Sequence, residues 1–448
     1  MNLEKYHNVF FIGIGGIGMS ALARYFNAKN LRISGYDKTR TSLCKTLERE
    51  GIEIHYNDSV ANISRHFRDI ERTLVIYTPA IPAEHEELNY FMDNGFDVVK
   101  RARILAEIAN QGRAIAVGGT HGKTTTSSLI AHIFNQTNKE AWAFLGGIVK
   151  PEKTNFFVGT SDVVVLEADE FDRSFHHLEP EYAIVTSMDA DHLDIYGTAE
   201  NIREAFADFA GRVKKGGKAI VKHGLPLKGI TYGLTDEAKY YAKDISIVHG
   251  RYNFTLVTKK GIEQKMTCGL PGRHNVENAV GAAAVCLEFG LSLEQIKKGI
   301  ETFEGVWRRF DVHVNNKSCV YIDDYAHHPE EIKAFLNSLK EMYPERKITA
   351  IFQPHLFSRT RDFGNEFATS LALADQLILL NIYPAREKPI PGVTSKWLLK
   401  KIELEEKQVL SKKEALAFVE HNKPELLATI GAGDIDRLVD PITKILQS

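Results

Sequence analysis

Ala114-Ile115-Ala116-Val117-Gly118-Gly119-Thr120-His121-Gly122-Lys123-Thr124-Thr125 decides the architecture: an apolar strand runs into a glycine loop, and the loop opens a helix. That order is the P-loop order. Backbone N–H groups of Gly119, Thr120, His121, Gly122 and Thr125 cradle phosphates, the Lys123 ammonium neutralises β/γ charge, and the Thr124 hydroxyl is placed for Mg²⁺. The usual spacing would put a first glycine at position 117, which is Val117 here, so the loop is one residue tighter than the general pattern. Short GK[ST] matches arise by chance, but a strand before and a helix after set chance aside. The chain is therefore expected to bind and consume ATP.

A P-loop needs a metal partner at the end of a neighbouring strand. Val163-Val164-Val165-Leu166-Glu167 is an apolar strand ending in an acid, and Asp169, Glu170 and Asp172 follow it closely. Glu167 is preferred because ligands of open α/β sheets bind at the carboxyl ends of strands, although the neighbouring acids leave the choice open. A further strand, Tyr182–Thr186, leads into Ser187-Met188-Asp189-Ala190-Asp191-His192-Leu193-Asp194. His192 there is placed either for a second cation or for a local hydrogen bond, since imidazole is a less usual Mg²⁺ ligand than carboxylate.

The N-terminal residues hold a second glycine loop. Phe10-Phe11-Ile12-Gly13-Ile14-Gly15-Gly16-Ile17-Gly18 is a strand entering GxGGxG, and a helix over Met19–Asn27 follows. Glycines permit the tight turn and the close approach of a pyrophosphate, and the helix N-terminus supplies free amides. Asp37 ends the next strand 19 residues beyond Gly18, where a ribose-binding acid would sit. A tight turn needing glycine only for packing is the plainer alternative. An NAD-dependent oxidoreductase is a competing class, but it leaves the Gly118–Thr125 loop and Glu167 without purpose.

Composition sets the outer bounds. The chain has 448 residues, which at ~150 residues per domain suggests three domains. Lys and Arg number 56 against 58 Asp and Glu, so there is no general attraction to nucleic acid or to an anionic membrane. Cys44, Cys268, Cys286 and Cys319 are scattered without a CxxC pair, which points to buried thiols rather than to zinc or disulfides. The residues from Met1 lack a basic segment followed by a cleavable apolar stretch, and no apolar run approaches ~20 residues, so a cytoplasmic protein is expected. Apolar strands alternating with helical stretches indicate α/β architecture with mainly parallel strands. Units are expected at 1–106, 107–306 and 307–448.

Three later motifs lie at strand or helix ends. Gly272-Arg273-His274-Asn275-Val276-Glu277-Asn278 opens a helix that places Asn275 and Asn278 on one face, suited to a purine edge or simply to the polar first turn of a helix. Trp307-Arg308-Arg309-Phe310 puts two guanidinium groups at the second junction, either reaching a γ-phosphate or solvated. Asp323-Asp324-Tyr325-Ala326-His327-His328-Pro329 and Gln353-Pro354-His355-Leu356-Phe357-Ser358-Arg359 each follow a strand directly.

These motifs, in order along essentially the whole chain, resemble the Mur ligase family, bacterial enzymes that build the peptidoglycan stem peptide. The resemblance is nearest to the branch that attaches L-alanine to UDP-N-acetylmuramate. It implies a UDP-binding Rossmann-like domain, a central P-loop ATPase domain and a C-terminal Rossmann-like domain for the amino acid. It implies ATP and a pair of Mg²⁺ ions as cofactors: an acyl phosphate forms on the substrate carboxylate and the amine of L-alanine displaces phosphate. Lys123 would hold β/γ-phosphates, with Thr124 and Glu167 on the first Mg²⁺ and His192, 25 residues beyond Glu167, helping with the second ion. His274, Asn275 and Asn278 match adenine contacts, Arg309 a γ-phosphate contact, and Asp324 and Tyr325 the nucleotide-facing loop. His327 and Arg359 resemble groups near the amino acid, and Gly13, Gly15, Gly16, Ile17, Gly18 and Asp37 the UDP-sugar site. Catalytic roles therefore fall to Lys123, His192, Arg309 and His327. Two departures stand out: Leu356 occupies a position where many relatives carry Arg, and Ala205–Ala210 lacks the lysine that several sister ligases carbamylate. The rival within the class is a recycling ligase that adds a whole tripeptide to the same sugar. No nucleic acid or membrane partner is implied, and a monomer or weak homodimer is expected.

Overall fold

The structure is a computed structural model that describes residues 2–170, 175–189, 196–385 and 387–447. The expected Asp172, Asp191, His192 and Asp194 lie outside the described residues. Two compact units are present: Met1–Lys243 with Thr255–Met266 and Glu277–Phe303, and Asp244–Phe254 with Thr267–Val276 and Glu304–Ser448.

Three sheets organise the chain. The first contains β1 (Asn8–Ile12), β2 (Arg32–Tyr36), β3 (Glu53–His55), β4 (Thr73–Tyr77) and β5 (Asp97–Lys100), in the order β3-β2-β1-β4-β5. Every pairing in it is parallel. Its helices are α1 (Ile17–Ala28), α2 (Ser42–Arg49), α3 (Glu86–Asp93) and α4 (Arg101–Gln111). Successive residues of a strand point to opposite faces, so a sheet covered on both sides needs continuous apolar runs. β1 shows this: Val9 and Phe11 enter one core and Phe10 and Ile12 the other.

The second sheet contains β6 (Arg113–Gly118), β7 (Trp142–Val149), β8 (Thr154–Phe157), β9 (Val163–Glu167) and β10 (Tyr182–Val185). It continues with β11 (Lys218–Lys222), β12 (Ile230–Gly233), β13 (Tyr240–Val248), β14 (Arg251–Val257) and β15 (Glu263–Thr267). The order is β15-β14-β13-β12-β11-β10-β6-β9-β7-β8, so β6 is central, with β9 and β10 parallel on its two sides. Helix α5 (Lys123–Asn135) follows β6. The third sheet contains β16 (Asp311–Asn315), β17 (Val320–Asp324), β18 (Ile348–Phe352), β19 (Gln376–Leu379), β20 (Glu406–Val409) and β21 (Leu426–Ile430). Its order is β16-β17-β21-β18-β19-β20, parallel apart from the antiparallel β16–β17 pair. Ile322, Ala350 and Ala428 face one core, and Tyr321, Ile351 and Leu427 face the other.

The architecture is α/β with mainly parallel sheets, as expected. Cys44, Cys268, Cys286 and Cys319 are buried free thiols. Among the described residues no helix is long and apolar enough to cross a membrane.

Within the first unit, α1 packs against the β7–β8 hairpin. Tyr25 of α1 meets Trp142, Phe144 and Phe156 at ring distances of 5.4, 5.5 and 6.4 Å. A buried polar lock sits beside this aromatic cluster. Asn155 of β8 donates to the Ile17 carbonyl at 2.5 Å and to Ser20 Oγ at 3.0 Å, and accepts from Arg24, which also pairs with Glu50 at 2.8 Å. Replacing Asn155 by Leu strands these groups. The expected cost is about 2–3 kcal/mol, because each buried polar group left without its partner keeps its desolvation penalty. The check is a downward shift of the first urea unfolding transition.

Candidate nucleotide and substrate sites

In the first unit the site is built on three strand ends. Val117 of β6 lies opposite Glu167 of β9, and Gly118 lies opposite Val185 of β10. Parallel register thus brings the ends of all three strands to one edge, which is where open α/β sheets hold ligands. The loop turns into α5 through Gly122, whose φ of 82° is left-handed and favours glycine. A Cβ at Gly122 would also lie 2.8 Å from Asn278 Oδ1, so Asn278 is packed against the loop.

Lys123 is largely but not completely buried, bonding the Gly119 carbonyl and pairing with Glu170 at 2.8 Å. Burial alone would lower its pKa, but the carboxylates of Glu170, Asp169 and Glu167 outweigh burial and hold it above the ordinary lysine value. Thr124 Oγ1 donates to Glu167 Oε2 at 3.1 Å. A hydroxyl and a carboxylate at that distance are hard oxygen donors. They fit Mg²⁺, which is commonly held by one or two protein groups while substrate phosphates fill the remaining positions.

The loop is clamped from the β10 side by residues whose role the sequence did not disclose. Ser187 Oγ accepts from the His121 amide at 2.7 Å and lies 2.9 Å from Thr120 Oγ1. Thr186 Oγ1 reaches the carbonyls of Gly118 and His121, and the Asp189 amide donates to Thr120 Oγ1 at 3.0 Å. The available signal was the pair of hydroxyl residues directly after an apolar strand.

The first glycine loop also closes at a strand edge. Amides of Gly13 and Ile14 donate to the Tyr36 carbonyl at 2.8 and 3.0 Å. Asp37 accepts from the amides of Gly15 at 2.8 Å and Thr39 at 3.0 Å, so its carboxylate holds the loop. Arg101, at the start of α4, packs so closely on Gly18 that a Cβ there would lie 2.5 Å from its Nη1, and it pairs with Asp169 at 3.3 Å. Arg101 thus joins the first glycine loop to the acids after β9. Sequence reading missed it because nothing in its local pattern distinguishes it from a surface arginine.

In the second unit Arg308 and Arg309 divide their roles. Arg308 donates to Asp323 at 3.2 Å and to the Gly431 carbonyl, and so pins the end of β21. Arg309 lies 4.9 Å over the Tyr325 ring and 4.0 Å from Glu331. Rings continue from Tyr325 to His327 at 5.3 Å, to His355 at 6.1 Å and to Tyr383 at 5.6 Å. Arg359 is buried. Leu356 has φ of 70°, an unusual conformation for a branched side chain, and starts the short helix Phe357–Asp362. His274 packs on Gly272, where a Cβ would lie 2.6 Å from its ring. Asn275 donates to the Pro271 carbonyl at 2.6 Å. Asp324 accepts from the amides of Phe310 and Ala326, both at 2.7 Å.

Three family models match in chain order: residues 8–113 the Mur ligase family catalytic domain, 117–286 the Mur ligase middle domain, and 308–433 the Mur ligase glutamate ligase domain. The chain belongs to the Mur ligase family. UDP-N-acetylmuramate–L-alanine ligases of Parabacteroides distasonis and Flavobacterium psychrophilum are 49% and 48% identical to it, each over 100% of the chain and over 98% and 100% of their own lengths. The solved UDP-N-acetylmuramate–alanine ligase of Thermotoga maritima is 27% identical, covers 98% of this chain and 99% of its own, and superposes with a TM-score of 0.82. A solved murein peptide ligase of Psychrobacter arcticus, 22% identical with a TM-score of 0.71, shares the Mur ligase fold. The competing oxidoreductase class falls away, because the glycine loop of residues 13–18 lies inside a Mur ligase domain.

Burial holds the Asp324 carboxyl up at about 6, well above its ordinary 3.8. A carboxyl raised in the native state contributes stability that is full below the unfolded value and lost as pH rises through the native one. In Asp324→Asn this dependence is absent. The stability difference is therefore expected to move in the variant's favour by roughly 2–3 kcal/mol between pH 4 and pH 7. Urea titrations of both proteins across that range provide the check.

Proposed function

We propose that this chain is an ATP-dependent ligase that joins the lactyl carboxylate of UDP-N-acetylmuramate to L-alanine in peptidoglycan synthesis. The observation that carries the reading is the meeting of Lys123, Thr124, Glu167 and Glu170 at one strand edge, in a chain that matches L-alanine ligases from end to end. The domains fall at 1–106 for the UDP-sugar, 107–306 for ATP and 307–448 for the amino acid.

The reaction has two steps. An oxygen of the substrate carboxylate attacks the γ-phosphorus of ATP, the bond to the β-phosphate oxygen breaks, and ADP leaves. The amine of L-alanine then attacks the acyl carbon, phosphate departs with the bonding pair, and the amine proton is released. In both steps charge accumulates on phosphate oxygens, so stabilisation comes mainly from positioned cations and amides. Lys123 serves the β/γ-phosphates, and the loop amides from Gly119 to Thr125 hold the chain of phosphates. Thr124 and Glu167 would hold Mg²⁺, which neutralises phosphate charge when bound, and His192 is assigned to a second ion. His274, Asn275 and Asn278 serve adenine, Arg309 the γ-phosphate, and Asp324 and Tyr325 the nucleotide-facing loop.

Gly13, Gly15, Gly16, Ile17 and Gly18 face the UDP pyrophosphate, with Asp37 fixing their turn. His327 and Arg359 serve the amino acid, Arg359 for its carboxylate. Leu356 leaves Arg359 as the carboxylate's main cation. A cytoplasmic setting and a monomer or weak dimer complete the reading.

Phosphate release with UDP-N-acetylmuramate is expected with L-alanine, and activity only with the tripeptide would replace this reading by the recycling one. Lys123→Ala is expected to lower kcat by about 10³, the order seen when one stabilising donor is removed, while UDP-sugar affinity measured by calorimetry stays unchanged. Retained ADP formation would overturn the assignment of Lys123.

A further inference from the structure

Glu167 is held by more than the P-loop helix. Its Oε2 accepts from Thr124 at 3.1 Å, and its Oε1 accepts from Ser127 Oγ at 3.3 Å and from the backbone amide of Gly146 at 2.6 Å. Gly146 belongs to a different element, the β7–β8 hairpin. Pairing of β7 with β9 runs through Trp142↔Val164, Ala143↔Val165 and Phe144↔Leu166. On the other side, the β7–β8 register shifts between Phe144 and Val149. Between these points β7 departs from regular pairing, as bulged strands do. The Gly146 amide points at the Glu167 side chain.

We propose that Gly146 is a positioning residue for the Glu167 carboxylate: its amide, delivered from the irregular stretch of β7, fixes the carboxylate plane against the Thr124 hydroxyl. The reason for glycine is room rather than backbone freedom. Gly146 is absent from the positive-φ glycines, so alanine fits its backbone. A Cβ, however, would meet three carboxyl atoms of Glu167 at 2.5, 2.6 and 2.8 Å. Those are the far atoms of a flexible side chain, so an added methyl turns Glu167 aside without disturbing the strand. The hairpin is anchored independently through Asn155 and the Tyr25 aromatic cluster, which keeps the amide in place. Groups that orient a ligating carboxylate set its affinity for metal, commonly by 10–100-fold.

This inference rests on the reading of Glu167 as the Mg²⁺ carboxylate. The test is calorimetric binding of a non-hydrolysable ATP analogue to the full chain, with Mg²⁺ and with EDTA. For the wild type, Mg²⁺ is expected to raise affinity, and Glu167→Ala to remove that gain. If Glu167→Ala keeps the gain, the assignment of Glu167 fails and the inference with it. Gly146→Ala is expected to cut the Mg²⁺-dependent gain by about tenfold or more, with the EDTA affinity, UDP-N-acetylmuramate affinity and melting temperature unchanged. The double variant Gly146→Ala/Glu167→Asp, whose shorter acid makes space for the methyl, is expected to recover more of the gain than the two single losses together would allow. An unchanged gain in Gly146→Ala overturns the proposal. An equal fall in EDTA and Mg²⁺ affinity, or strict additivity in the double variant, overturns it as well.

Discussion

Everything in the nucleotide site depends on β6 lying between two parallel neighbours in register. Because β9 and β10 flank it, the Gly119–Gly122 loop emerges with an acid on one side and hydroxyls on the other. A glycine-rich loop alone has too many accessible backbone conformations to present a fixed set of amides. Here Thr186 and Ser187 tie down its carbonyls and amides from the β10 side. The helix after the loop then begins at a defined place, with Lys123 and Thr124 aimed at β9. The loop is therefore a product of sheet order as much as of its own glycines.

The same principle of fixing one group so that its neighbour is free to act recurs in the second unit. Arg308 and Arg309 are chemically identical, yet Arg308 is absorbed into a buried network with Asp323, Thr429 and the Gly431 carbonyl. A buried carboxylate such as Asp323 is costly unless paired and hydrogen-bonded. That network holds the turn that carries Arg309 over Tyr325. Asp324 acts similarly through the amides of Phe310 and Ala326. Its buried carboxyl organises the peptide between two motifs that the sequence shows as separate.

Much of this was legible in the sequence, because strands buried on both faces must be continuous apolar runs and phosphate loops need glycine next to a strand. The apolar strand expected over Val163–Glu167 is β9, and the helix expected over Met19–Asn27 is α1, Ile17–Ala28. The strands from β12 to β15 and the β7–β8 hairpin were not expected. Residues of β13 to β15 alternate or mix polar and apolar side chains, as in Tyr240–Val248, and such a pattern identifies an edge region only once its neighbours are known. β7 is apolar but is interrupted by Gly146 and Gly147, and glycine weakens the strand signal. Tertiary partners were illegible for the same reason. Nothing local to Gly146 or Arg101 tells that each lies against residues far off in the sequence, Glu167 and Gly18 respectively, whereas Lys123 and Thr124 carry their chemistry in a contiguous motif. Asp37 shows the converse: its place directly after β2 is readable from the sequence, while its bond to the Gly15 amide is a property of the folded turn.

Two acids compete for the metal role after β9, and electrostatics separates them. Glu170 pairs with the Lys123 ammonium at 2.8 Å, and Glu167 meets the Thr124 hydroxyl at 3.1 Å. A divalent cation placed beside Glu170 would sit close to a buried positive charge, and at short range in a low-dielectric site that repulsion is large. Beside Glu167 it gains a carboxylate and a neutral oxygen. The carboxylates around Lys123 also keep its ammonium charged in spite of burial. An arriving triphosphate can then take over the ammonium from Glu170, exchanging one anionic partner for another. What each acid touches therefore favours the proposed division of work: Glu170 holds the lysine in place, and Glu167 would offer its oxygens to the cation.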